Sequence, residues 1–87
     1  MTLTLLSRAY CHLCDEMLDA VRPLAAARGM AVRVVDVDAD PALEAEYGDR
    51  VPVLFVGEPR AGGEVCHHRF DRERFDAALA TSTARRD

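Results

Sequence analysis

The spacing of apolar residues changes period at Cys11, and that change constrains the fold more than any other feature of the chain. Thr2 to Leu6 has the composition of a short buried strand, and Ser7 to Tyr10 forms a connector. From Cys11 onward, Leu13, Met17, Val21 and Leu24 recur at helical spacing, with Cys14 and Leu18 beside them. Gly29 is a natural stop for this helix. Pro23 lies inside it, where it should kink the axis or cost a hydrogen bond. The Val-rich stretch MAVRVVDV then reads as a second strand, covered on both faces. A strand, a crossover helix and a strand imply a parallel, right-handed unit.

The remaining pattern completes a sheet. Asp40 and Pro41 make an N-cap and first-turn pair, Gly48 makes a stop, and a short helix is expected from Pro41 to Tyr47. VPVLFVG reads as a third strand, EPRAGG as a turn, and EVCHHRF as a fourth strand closing a hairpin. Asp71 should cap a last helix, with Phe70 and Phe75 as its hydrophobic staple and Phe75, Ala78 and Leu79 facing inward. The polar end, TSTARRD, is expected to fray. The order βαβαββα predicts one α/β domain over residues 1–87, a four-stranded mixed sheet with helices on both faces.

That order places CHLC, residues 11 to 14, at the carboxyl end of the first strand, where α/β folds carry their sites. If the helix begins at Cys11, its sulfur meets free backbone N–H groups and the positive end of the helix dipole. Both favour thiolate, the species that attacks disulfides. Cys14, one turn further in, is less exposed and within reach of the Cys11 sulfur. The pair therefore suits a relay in which Cys11 attacks and Cys14 resolves the mixed disulfide. His12, when protonated, would stabilise the thiolate, and Arg8 would add permanent positive charge. Asp15 and Glu16 pull the other way, or simply decorate the first turn.

Composition removes the competing classes. With 87 residues, 49% of them apolar, the chain supports a single small core. A net charge of −4 lacks the footprint that nucleic acid binding requires. No stretch approaches the ~20 apolar residues that cross a bilayer, and MTLTLLSRAY lacks the basic start and long apolar core of a signal peptide. The expected location is the cytoplasm, where structural disulfides are rare, and three cysteines make no disulfide framework.

With RAYCHLC at 8 to 14 and RVPVL at 50 to 54 in this order, the chain resembles thioredoxin-fold proteins of the glutaredoxin-like kind, including a group of small bacterial members. The resemblance covers nearly the whole chain. It implies that Cys11 is the nucleophile and Cys14 the resolving cysteine. It also makes Tyr10 the aromatic residue before the nucleophile and Arg8 a contact for a glutathione carboxylate. Pro52 would be the cis-proline beside the cysteines, and the Val51 backbone would pair with a bound thiol substrate. Three departures bear on glutathione. Arg50 stands where the family has Thr, and AGG at 61 to 63 reads as the hairpin turn. Phe70 and Asp71 occupy the place of the family's Gly-Gly-Asp imperfectly. Asp71 would hold the glutamyl end if the last helix begins close to the cleft.

Two further stretches of the chain resemble metal sites. Cys11, Cys14, Cys66, His67 and His68 add up to a zinc ligand set only if Cys66 and His67 face one metal, and neighbours on a strand point to opposite faces. DVDADP starts like a calcium loop, but Pro41 stands where that loop needs Gly and Tyr47 where it needs Glu. The expectation is a monomeric thiol–disulfide oxidoreductase with no metal and no resident cofactor, glutathione being a candidate reductant. It would act on a disulfide-containing protein or a small thiol, with no nucleic acid or membrane partner. The rival is a non-catalytic binding module that uses the same cleft for a protein or thiol ligand.

Overall fold

The computed structural model describes residues 1–85. Its elements are β1 (Thr2–Ser7), α1 (His12–Ala27), β2 (Ala31–Asp36), a 3-10 turn (Val37–Ala39), α2 (Pro41–Tyr47), β3 (Val53–Val56), β4 (Cys66–His67) and α3 (Arg72–Arg85). The strands form one sheet in the order β2-β1-β3-β4. β1 and β2 are parallel, and the β1–β3 and β3–β4 pairs are antiparallel. This is the expected βαβαββα mixed sheet.

β1 is central because its four inner residues, Leu3, Thr4, Leu5 and Leu6, are all buried. The Thr4 hydroxyl avoids the cost of burial by donating to the Gly57 carbonyl at 2.7 Å. Leu3 and Leu5 face a core shared with Met17, Val21 and Ala25 of α1, Leu54 of β3, and Phe75 and Leu79 of α3. Leu6 faces a smaller cluster of Val37, Tyr47, Val53 and Phe55 on the side of α2. Helices thus cover both faces. Each fully buried large side chain contributes about 1.5–3 kcal/mol relative to exposure.

Local signals set the helices. Cys11 caps α1, and Gly29, at φ +67, ends it. The Gly29 N–H bonds the Ala26 carbonyl and the Met30 N–H the Ala25 carbonyl, which is the Schellman arrangement. The helix runs unbroken through Pro23, which is exposed. Its buried stripe is Cys14, Met17, Val21 and Ala25, rotated from the Leu13–Leu24 line, and Leu13 is only half-buried. Asp40 caps α2 by accepting from the Ala42 and Leu43 N–H groups, with Pro41 in the first turn and Gly48 at the end. Asp71 accepts from the Arg74 N–H at 3.1 Å, and Phe70 packs on Phe75 with ring centroids 5.5 Å apart.

Three expectations need correction. β2 is not covered on both faces: it is an edge strand, and Val34 is 45% exposed. A Val-rich run signals a strand but not its place in the sheet. β4 is two residues long rather than the whole of EVCHHRF. His68 takes φ +65 and turns the chain out of the ladder, while Pro52, just before β3, has no N–H with which to extend it. Finally, α3 continues to Arg85, into the segment expected to fray; residues 86 and 87 of that segment lie outside the described residues. No helix among the described residues is long and apolar enough to cross a membrane.

Candidate functional site

The two cysteines sit where β1 hands over to α1. Cys11 has extended backbone angles (φ −100, ψ 109) and serves as the N-cap of α1, a position usually filled by an oxygen-bearing side chain. Its sulfur takes that role, accepting the Cys14 backbone N–H at 3.2 Å. The Cα atoms of Cys11 and Cys14 are 5.2 Å apart and their sulfurs are joined as a disulfide. Cys11 is half-exposed and Cys14 only 2% exposed. An incoming group therefore meets the Cys11 sulfur first, with Cys14 behind it. In the reduced state the same N–H and the helix dipole favour negative charge on Cys11.

The neighbours divide into exposed and committed side chains. Tyr10 is fully exposed and held at φ +59, an uncommon backbone conformation for a residue with a side chain. His12, the first residue of α1, is also exposed. Arg8 is committed. Its guanidinium donates to Asp38 at 2.9 Å, to Glu44 at 3.4 Å and to the Gly48 carbonyl at 3.2 Å. The Asp38 hydrogen bond, aided by the charge of both carboxylates, raises its pKa above the usual arginine value despite some desolvation. Arg8 thus ties the end of β1 to the 3-10 turn and α2. It is not held free as the added positive charge the sequence suggested, and a substrate carboxylate would have to displace these partners.

Pairing of Leu6 with Val53 brings the start of β3 beside the end of β1, the strand that leads into CHLC. Pro52 immediately precedes that start. The Val51–Pro52 peptide bond is cis, Pro52 is buried and Val51 half-buried. Arg50 anchors this segment to α2. It donates to the Glu46 carbonyl at 2.7 Å, lies over the Tyr47 ring at 5.1 Å, and pairs with Glu46 and Glu64. Asp71 belongs elsewhere in part. Besides capping α3, it lines an open groove of about 620 Å³ formed by residues between Glu64 and Arg74, none of them from the CHLC turn.

Cys66 is a buried free thiol on β4, and His67 beside it is exposed, as strand alternation requires. Burial pushes the Cys66 pKa up, partly opposed by a hydrogen bond from the Asp71 backbone. Among the described residues, no group of three or more His, Cys, Asp or Glu side chains is arranged to hold a metal. Sequence reasoning missed the anchoring of the 49–52 segment by Arg50 and His68. Nothing in a single sequence marks a His that bonds a carbonyl nineteen residues away.

A four-stranded mixed sheet flanked by helices, with a Cys-x-x-Cys pair capping the first helix, defines a thioredoxin-fold protein of the glutaredoxin-like class. Residues 2–80 match the model of the glutaredoxin-like domain family DUF836, and the chain belongs to that family. Its fold is similar to that of protein XcR50 of X. campestris, with 44% identity over 91% of this chain and 96% of that one and a TM-score of 0.66. It is also similar to protein Ne2328 of Nitrosomonas europaea, with 36% identity, 87% of each chain covered and a TM-score of 0.74. Thioredoxin 1 of Thermosipho africanus shares the fold at 17% identity, with a TM-score of 0.65 over 97% of this chain and 96% of that one.

Proposed function

We propose that the chain is a thiol–disulfide oxidoreductase. The observation that carries this reading is the asymmetry of the pair: Cys11 half-exposed at the helix N-cap, Cys14 buried behind it and within bonding reach. The Cys11 thiolate attacks one sulfur of a substrate disulfide. A mixed disulfide forms and one substrate thiolate leaves. Cys14 then loses its proton and attacks the Cys11 sulfur, displacing the second substrate thiol. The substrate gains two electrons and the protein is left with the Cys11–Cys14 disulfide. A dithiol or thiol reductant must return those electrons.

In this reading the exposed Tyr10 ring and the backbone of Val51, next to Pro52, flank the substrate, and His12 stabilises the Cys11 thiolate when protonated. The substrate is a disulfide-containing protein or a small thiol, and glutathione is a poor reductant. Arg8 already spends its donors on Asp38, Glu44 and Gly48, and Arg50 on Glu46 and Glu64. Leaving a charged end of glutathione unpaired costs about 1.5–3 kcal/mol, a factor of ten or more in affinity.

The test is turnover of a protein disulfide such as insulin with dithiothreitol as donor. The expected result is catalysis lost in Cys11→Ser. Glutathione as donor should support turnover about tenfold slower or worse. Equal rates for wild type and Cys11→Ser would favour a binding module in place of an enzyme.

A further inference from the structure

β2 is an outer strand of the sheet, paired only with β1, and the redox reading has no use for its free edge. The register shows which groups that edge presents. The Ala31 N–H donates to the Met1 carbonyl, on the β1 side. Backbone groups alternate sides along a strand. Those of Ala31, Arg33 and Val35 therefore point to β1, and those of Val32, Val34 and Asp36 point away from it. Val34 thus presents an N–H and a carbonyl with no strand partner, together with a side chain that is 45% exposed. A six-residue edge of this kind is a template for another strand.

The edge leads towards the cysteines. Val34 and Asp36 lie on one face, where with Ser7, Arg8 and Ala9 they line a cavity of about 280 Å³. The exposed Tyr10 and then Cys11 follow Ala9 directly in the chain. Asp36 aligns with Ser7, and the chain from Ser7 to Cys11 spans at most about 14 Å.

Charge and size select the occupant. Asp36 accepts the Asp38 N–H and, among the described residues, pairs with no cation. Arg8, the cation of the cavity lining, is shared by Asp38 and Glu44. Arg33, further back on the strand, is paired with Glu58. This end of the edge is therefore net negative and fits a basic residue. A second copy of the chain would bring the same acids and a net charge of −4. It would also bury too little. A six-residue edge is about 20 Å long and offers on the order of 200 Å² per partner, against about 800 Å² per partner in a stable dimer.

We propose that the β2 edge takes up an extended segment of the disulfide-containing protein substrate as an added strand, with an apolar residue on Val34 and a basic residue two positions away on Asp36. That the segment belongs to the disulfide partner rests on the redox reading; strand addition at the edge does not.

The test uses the peptide Thr-Val-Thr-Lys-Thr-Val-Thr and its counterpart with Glu for Lys, which read alike in either strand direction. In 15N NMR titrations of the oxidised full chain, the amides of Val32, Val34 and Asp36 should move further than those of Arg33 and Val35. At low salt the lysine peptide should bind about fivefold more tightly than the glutamate one, the worth of one exposed ion pair. Val34→Pro removes an outward N–H and spares the β1 ladder, so binding should weaken about fivefold. Asp36→Asn keeps an acceptor for the Asp38 N–H and should abolish the preference for lysine. Equal affinity of wild type for the two peptides, or no movement of the β2 amides, would overturn the proposal. So would β2 shifts that follow protein concentration alone, which would make a second copy the occupant. Turnover separates the edge from the redox chemistry. With a cysteine added at either end and the peptides supplied as symmetric disulfides, kcat/KM should favour lysine about fivefold in wild type and not in Asp36→Asn. The expected binding without reduction of any disulfide would uphold the strand site and sink the redox reading, and with it the substrate assignment. Reduction of both peptides without preference would sink the edge and leave the redox reading standing.

Discussion

At the scale of single residues, chemistry is concentrated in side chains whose partners are few. Cys11 has one backbone N–H on its sulfur and open access, whereas Cys14 is buried. Alkylation of single Cys→Ser variants at pH 6 should therefore modify Cys11 faster than Cys14, and the reverse order would exchange their roles. Tyr10 sits at φ +59 with its ring in solvent, so its conformation is not supported by packing. Tyr10→Gly should stabilise the fold by about 1 kcal/mol, seen as a Tm rise of roughly 4–8 °C, while weakening substrate binding. Arg8 shows the opposite situation, a cation saturated by acids. Releasing it with Asp38→Asn and Glu44→Gln should raise glutathione-dependent turnover about fivefold, modest because both ion pairs are exposed. No change in the rate with glutathione would show that Arg8 lies outside the substrate path. The placement of Cys11 and Cys14 at the start of α1 was legible because a helix start is a local pattern. The commitment of Arg8 was not, because Asp38 and Glu44 reach it only through the fold.

At the scale of elements, the same contrast separates helices from strands. α2 was legible to the residue because its signals are adjacent in the chain: Asp40 as cap, Pro41 in the first turn, Gly48 at the end. α1 likewise stops at Gly29, whose φ of +67 is the cause, since a Cβ there would touch nothing within 4 Å. Gly29→Ala should cost about 1–2 kcal/mol through backbone strain alone, measured by denaturant unfolding. A cost near zero would mean that the helix end relaxes instead. Strand neighbours, by contrast, are set by pairings far apart in sequence. The exposure of β2 follows from its place beside β1 at the sheet edge, and the brevity of β4 from His68 just after it and Pro52 just before β3. Neither is written in a local spacing.

At the scale of the whole molecule, two buried acids tie stability to pH. Burial raises the pKa of Cys66, and burial together with Glu64 and Glu46 raises that of Tyr47, against Arg50. Both stay protonated in the fold at a pH where the unfolded chain releases its proton. Stability should therefore be fully present below about pH 8.5, where an unfolded thiol begins to ionise, and fall as pH rises through the folded pKa values. Chemical denaturation at pH 7.5 and pH 10 should show the loss, and Cys66→Ala should flatten part of the pH slope whatever its effect on absolute stability. An unchanged slope would remove Cys66 from this account. The sheet brings the cysteine turn and the 49–52 segment to one end of the molecule, where disulfide exchange is proposed to run through Cys11. Covalent trapping is the test. Cys14→Ser mixed with a peptide disulfide should give one covalent adduct by intact mass, mapped by digestion to Cys11. Dithiothreitol should release it, and Cys11→Ser should give none. No adduct on Cys14→Ser, or the same yield on Cys11→Ser, would contradict the account.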